Sequence, residues 1–349
     1  MTSTTTYLDH AATTPLLPAA RDAMAEGFAL WANPSSPHRQ GRAARAALED
    51  ARERIKVALG WEGELIFTSG ASEALAIGLT RCRLPLRAVS ATEHDAVLRH
   101  AGAARMLAVD STGLVDGAGT GEGLVALQHA NNETGVIQPV GEIAAAVRAG
   151  GGLLLADCAQ TAGKLDLPDA DMIAVSAHKF GGPVGFGALL VRDWAMLVPS
   201  GGQERGYRGG TENLPGALAM AAALEADRSW LESARAMRAD LEATIVAAGG
   251  EVIAAGAPRI AAIGAYRMPG KSAAAQLIRF DGSGIAVSAG SACSSGSLRT
   301  SHVLGAMGLE ARAAAEVIRV SIGRETTPAE IARFVAAWRD IAGAGRAAA

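Results

Sequence analysis

Met172-Ile173-Ala174-Val175-Ser176-Ala177-His178-Lys179-Phe180-Gly181-Gly182 is the stretch on which the fold turns. It opens as a short, continuously apolar run, the pattern of a strand covered on both faces by helices. It closes on small and polar residues, a histidine, a lysine and two glycines. Open α/β sheets bind their ligands at the carboxyl ends of strands. Lys179, one of only four lysines in the chain, falls at such a place. A lysine that loses solvation there loses its charge more readily and can form a Schiff base. A surface lysine in a turn gives the same local string, so these residues alone leave both readings open.

Outward from this stretch the same rhythm repeats. Candidate strands are Glu64–Phe67, Arg87–Ser90, Arg105–Val109, Leu124–His129, Gly152–Ala156, Met172–Val175 and Gly187–Val191, with Ala/Leu-rich segments between several of them. That alternation predicts an α/β domain with a largely parallel sheet. One long helical region is expected over Leu214–Ala248. Beyond it, strand-like Ile260–Tyr266 and Arg319–Ile322 and helices near Ser272–Arg279 and Pro328–Ile341 predict a smaller α+β domain. Gly117–Gly123 does not fit G-x-G-x-x-G and is expected to be a turn. The tail from Ala342 is expected to fray.

Composition agrees with a globular chain: 349 residues, 49% apolar and 19% charged. A net charge of −3 with no basic stripe argues against a nucleic-acid partner. No run is long and apolar enough to span a bilayer, and Met1–Leu8 has no signal-peptide pattern, so a cytoplasmic chain without membrane contact is expected. The sequon Asn132-Glu133-Thr134 has no consequence in that compartment. Cys82, Cys158 and Cys293 are widely spaced, which argues against structural zinc and against a disulfide framework.

Three further strand ends carry chemistry. Asp157 follows Gly152–Ala156, where a carboxylate can hold the pyridinium nitrogen of pyridoxal phosphate in its protonated form; a helix N-cap is the ordinary alternative. Thr68-Ser69-Gly70-Ala71-Ser72-Glu73 joins a strand to a helix. Its small residues and free N–H groups suit a phosphate, or simply a capped helix start. His94, in Thr92-Glu93-His94-Asp95, can stack on a ring and shuttle protons, or serve as a structural helix-start residue. Asn132 and Gln160 offer amide donors for a ring hydroxyl, or form turns.

With these residues together, the chain resembles the cysteine desulfurases of fold type I in the class V aminotransferase group. The likeness runs from Tyr7-Leu8-Asp9-His10-Ala11-Ala12-Thr13-Thr14-Pro15 to Arg319-Val320-Ser321-Ile322-Gly323-Arg324. Between these ends lie Ala32-Asn33-Pro34-Ser35-Ser36, Asn131-Asn132-Glu133-Thr134-Gly135 and Arg208-Gly209-Gly210-Thr211-Glu212-Asn213. The resemblance implies a large pyridoxal-phosphate domain over 15–230 with a mostly parallel seven-stranded sheet. It implies a small domain from 1–14 and 231–349. Lys179 would carry the cofactor and move protons. Asp157 would hold the ring nitrogen, Gln160 and Asn132 would sit at the ring hydroxyl, and His94 would stack on the ring. Ala71, Ser72, Ser176 and His178 would surround the phosphate. Thr211 would reach the phosphate of a second subunit, implying a homodimer. Asn33 and Arg319 would hold the substrate carboxylate.

Cys293 separates the possible reactions. Ser288-Ala289-Gly290-Ser291-Ala292-Cys293-Ser294-Ser295-Gly296-Ser297 is small, polar and uncharged, like the catalytic loop of the nitrogen-fixation and iron–sulfur branch of these enzymes. L-cysteine would then give alanine and a persulfide on Cys293, with sulfur passed to an iron–sulfur scaffold or a sulfur carrier. A class V aminotransferase has no use for such a thiol; selenocysteine lyase and a non-catalytic sulfur carrier are the other rivals. The chain is short for this group, and the scaffold-docking extension of housekeeping relatives is not expected. Leu75 and Val184 depart from the group's usual residues and are expected to touch no catalytic role. Cys158 is expected to pack.

Overall fold

The computed structural model describes residues 5–117, 121–290 and 300–343. All seven expected strands pair in one sheet. Their order across it is Glu64–Thr68, Gly187–Val191, Met172–Ser176, Leu153–Asp157, Leu124–Gln128, Leu86–Ser90, Arg105–Leu107. Gly187–Val191 runs antiparallel to both neighbours, and the remaining pairings are parallel. Successive strand residues point to opposite faces, and here both faces are buried. Phe67, Val125, Leu127, Ile173, Val175 and Leu190 belong to one apolar cluster. Ile66, Leu124, Ala126, Met172, Ala174 and Leu189 belong to another. That two-sided burial is why the strands read as unbroken apolar runs.

The helix Arg39–Leu59 covers one face through Ala44, Leu48, Ala51 and Ile55, at the spacing of a single helical stripe. His38 caps its start through a bond from the Gly41 N–H to Nδ1 (3.1 Å). The helix Ala71–Arg81 lies on the other face, with Ala74, Leu75 and Ile77 buried.

A second core gathers Leu8, Leu241, Ile245, Tyr266, Phe280, Ile318, Val320, Phe334 and Trp338. It is built on the antiparallel sheet of Val317–Ser321, Ile263–Arg267 and Glu251–Val252. Thr6–Tyr7 pairs in parallel with Ile285–Ala286. These short strands carry too few residues for a period, and the sequence reading did not contain Glu251–Val252 or the Thr6 pairing.

The expected helical region over Leu214–Ala248 holds two helices, Leu214–Leu224 and Trp230–Ala247. Asp227 takes the Ser229 N–H and ends the continuity (3.1 Å). Ile260 is no strand residue: its N–H bonds the Gly135 carbonyl (2.8 Å), and the strand begins at Ile263. Of the expected Gly117–Gly123 turn, 118–120 lie outside the described residues. So do 344–349 of the tail and 291–299, which include Cys293.

Candidate active site

A cavity of about 370 Å³ opens at the carboxyl end of the sheet. It is bordered by Ala71, Ser72, His94, Asn132, Asp157, Gln160, Ser176, His178, Lys179 and Arg319. Ten sequence-expected residues from six separate segments therefore meet. Asn33 and Thr211 do not border it; they line another cavity with Trp31 and Glu212. Within one chain Asn33 thus does not share a cavity with Arg319. Cys293 lies outside the described residues.

Strand ends place the reactive groups. Asp157 closes the strand Leu153–Asp157, and Lys179 follows Met172–Ser176 on a single 3-10 turn. The Lys179 Nζ donates to the carbonyls of Ala11 (2.6 Å) and Ala12 (2.9 Å). Thr14 bonds the Lys179 carbonyl through Oγ1 (3.1 Å). The N-terminal segment therefore aims the amine. Burial pushes the Asp157 carboxyl above its ordinary value, against the Ala159 N–H, His94 and Lys179. A cation brought to its free oxygen would ionise it.

His94 starts the short helix Asp95–Leu98, and its Nδ1 accepts the Ala96 N–H (3.1 Å). Burial lowers its pKa, with Asp157 opposing and Lys179 adding. The neutral ring then carries its proton on Nε2. His94 thus serves as the helix-start residue, while Asp157 caps no helix and its Oδ1 takes the Ala159 N–H (2.8 Å).

An anion cradle forms where two backbones nearly touch. A Cβ on Gly187 would lie 2.7 Å from the Gly70 Cα, and Gly70 itself has φ 148°. Only glycine permits that approach. It seats the N-terminus of Ala71–Arg81 beside Ser72, Ser176 and His178, where free N–H groups and the helix dipole favour a phosphate. Ser72 makes no cap bond, so the capped-helix alternative fails for it. Glu73 would disfavour an anion, but Arg208 engages it (2.8 Å). Burial raises the Glu73 pKa, and the bonds from Arg208 and Ser69 outweigh that, leaving a net lowering. His178 is held near a pKa of about 4 by burial, then by Lys179 and Lys164.

Two buried atoms bordering the cavity lack partners: Gln160 Oε1 and Arg319 Nε. Gln160 uses its Nε2 on the Ala11 carbonyl (3.0 Å). Arg319 uses Nη1 on the Asn132 carbonyl (2.9 Å) and Nη2 on Asp9 (2.7 Å). Unmet buried polar groups are costly, and both belong to residues that line the cavity. An amine, a buried carboxyl, an anion cradle and a spare guanidinium N–H fit the group that the sequence implied.

Several lining residues were outside the sequence expectation. Leu75 and Val184 border the cavity. Gln128 borders it too, with Nε2 donating to the Thr92 carbonyl and Oγ1 (both 2.8 Å). Beside it, Glu93 is fully buried, with its pKa pushed well up by burial, against the Gln128 N–H and with Asp157 adding. Cys158 is buried, and burial pushes its thiol pKa up, as packing rather than chemistry requires. No group of three or more potential metal ligands occurs among the described residues.

Fold and site together define a class. The chain matches the family described as aminotransferase class-V over residues 6–334, and it belongs to that family. Within it the chain belongs with the cysteine desulfurases. It is 36% identical to the IscS-like cysteine desulfurase of Mycobacterium tuberculosis, over 93% of each chain. It is 37% identical to a cysteine desulfurase of Cereibacter sphaeroides, over 94% of this chain and 93% of that one. Solved structures agree. A NifS-like protein from Rickettsia africae has a TM-score of 0.87 at 28% identity, over 97% of this chain and 99% of that one. A structure described as SspA in complex with cysteine has a TM-score of 0.77 at 28% identity, over 92% and 99%.

Proposed function

We propose that the chain is a pyridoxal-phosphate-dependent cysteine desulfurase that converts L-cysteine to L-alanine and leaves a persulfide on Cys293. The observation that carries this reading is the convergence of Lys179, Asp157 and His94 in one cavity with Arg319, whose buried Nε lacks a partner. The cofactor, when bound, supplies an aldehyde carbon and a protonated ring that takes up an electron pair.

Each residue then has a task. Lys179 would hold the cofactor at its aldehyde carbon through Nζ, and its amine could take a proton from the substrate Cα. Asp157 holds the proton on the ring nitrogen. His94 covers the ring, and its Nε2–H is available to a substrate heteroatom. Ser72, Ser176, His178 and the helix start at Ala71 hold the phosphate; Gln160 and Asn132 hold the ring hydroxyl. Arg319 takes the substrate carboxylate with its spare N–H, a charge-assisted bond that fixes which atoms face Lys179. The Cys293 thiolate attacks the substrate sulfur. A sulfur–sulfur bond forms, the carbon–sulfur bond breaks, and the carbon fragment gains a proton to become alanine.

A homodimer belongs to the same proposal. Asn33 and Thr211 lie together, outside their own chain's cavity, beside exposed Phe28 and Trp31. A second copy would bring Thr211 to the phosphate and Asn33 to the substrate. The persulfide would pass to an iron–sulfur scaffold or a sulfur carrier, in the cytoplasm.

The test is alanine and sulfide release from L-cysteine with dithiothreitol. Cys293→Ser is expected to lose sulfide release, and Lys179→Ala the visible absorbance of the loaded protein. Normal sulfide release by Cys293→Ser would overturn the reading, as would a retained covalent chromophore in Lys179→Ala.

A further inference from the structure

Lys179 also borders a second void of only about 20 Å³. Four basic side chains line it, His10, Lys164, Lys179 and Arg324, and no carboxylate does. A void of that size holds about one water, so it has no room for an organic counter-ion.

Lys164 is the unusual member. It is 7% exposed, and no hydrogen bond or ion pair among the described residues involves its ammonium. It sits on the turn after Asp157, where the N–H groups of Ala162 and Leu165 close onto Cys158 and Thr161. Gly163 makes the placement possible. It has φ 71°, and a Cβ there would lie 2.9 Å from the Phe180 Cβ. The turn carrying Lys164 is thereby pressed against the residue next to Lys179.

A buried cation without a counter-charge costs stability. A second cation does, however, weaken the hold of its neighbour on a proton. The surrounding groups show that mutual opposition. Burial and then Lys179 push the Lys164 pKa down to about 7. His10 is held near about 4 by burial and then Lys164, with the Tyr7 backbone bond and Glu330 opposing. His178 is lowered by burial, Lys179 and Lys164. Arg324 adds a fixed charge to the lining. Asp157, from the large cavity, is an acidic group that interacts with Lys179 among the described residues.

We propose that Lys164 is a positioning residue for Lys179: its buried amine shares the small void and competes for protons, so that the Lys179 amine is free of its proton near neutral pH. This rests on the reading of Lys179 as the residue that bonds the cofactor. It accounts for an amine ready to bond an aldehyde carbon, and then to accept a proton from a substrate carbon. The two amines titrate as a pair.

The test reads Lys179 directly. The full-length protein, freed of cofactor, is acylated with acetic anhydride across a pH series, and modification of Lys179 is followed by mass spectrometry. In Lys164→Met the midpoint is expected to rise by about one unit, because the opposing charge is gone. In Lys164→Arg it is expected to fall, because a guanidinium keeps the charge that lysine gives up. The pH midpoint of the visible absorbance of the loaded protein should move in the same directions. A Lys164→Met midpoint within about 0.2 unit of the parent, or below it, overturns the proposal. If Lys164→Met does not fold, Lys164→Arg decides alone: a fall supports the proposal, and an unchanged or raised midpoint overturns it. A parent that stays colourless in pyridoxal phosphate breaks the functional reading instead, and the acylation result stands apart from it.

Discussion

Arg52 and Arg319 are both nearly inaccessible, at 4% and 3% exposure, and they serve different ends. Around Arg52 every nitrogen is used. Nη1 reaches the Leu65 carbonyl (2.7 Å) and Glu204 (2.9 Å), Nη2 reaches Glu204 (3.1 Å), and Nε reaches Glu49 (3.0 Å). The guanidinium also lies 4.4 Å from the centre of the Phe67 ring. Burial works against its charge, but Glu204 and then Glu49 outweigh that and raise its pKa. Around Arg319, Asp9 and Asn132 use two nitrogens, and the third has no partner among the described residues. A satisfied buried charge holds parts of the chain together. One left short of a bond is a place for a ligand.

The Arg52 region has a strained backbone to hold. Glu204 and Arg205 have φ of 46° and 54°, the left-handed region that side chains disfavour. The Glu204 carboxylate also takes the Phe67 N–H (2.9 Å). These bonds tie the segment before Arg208-Gly209-Gly210-Thr211 to the sheet. Arg45 and Glu212 tie its far end to the helix Arg39–Leu59 (3.1 Å).

The largest expected effect tests the satisfied side. Glu204→Ala leaves the buried Arg52 with only the half-buried Glu49 as a carboxylate partner, and should cost about 3 kcal/mol of unfolding free energy in a denaturant titration. A loss under about 1 kcal/mol would put Arg52 in the class of dispensable pairs. Next comes Arg319→Lys, which removes the fork but keeps a charge. It should lower kcat/KM for alanine formation about 10–100-fold, the worth of one or two charge-assisted bonds, with less loss of stability than Glu204→Ala. Unchanged kinetics would erase the contrast. The smallest effect belongs to a third arginine. Arg54 meets Glu225 bidentately at 2.7 and 2.8 Å, but both are exposed. Arg54→Ala should cost under about 1 kcal/mol. A larger loss would mean that geometry, rather than burial, sets the value of these pairs.

That Lys179, Asp157 and His94 meet at one end of the sheet was legible in the sequence, because each follows an apolar run and strand ends in such sheets converge. The two buried faces were legible for the same reason. Other features left no signal in residue type. Ala11 and Ala12 hold the Lys179 amine with backbone carbonyls, which every residue has. Arg52 pairs with Glu204 across 152 positions, a separation that periodicity does not reach. That Leu75 and Val184 border the cavity was not legible, because a cavity wall is defined by what surrounds it. The break before Trp230 depends on one aspartate bonding two residues on, in a segment otherwise rich in helix formers.

The N-terminal segment has a consequence for synthesis. Asp9 emerges 310 positions before Arg319, the residue that it holds, and Thr6 pairs with Ile285. The carbonyls that aim Lys179 belong to the same segment, and its strand partners are translated near the end. A ribosome therefore releases the seven-stranded sheet well before the wall around Lys179 can close, and the reactive pocket is among the last parts of the molecule to exist.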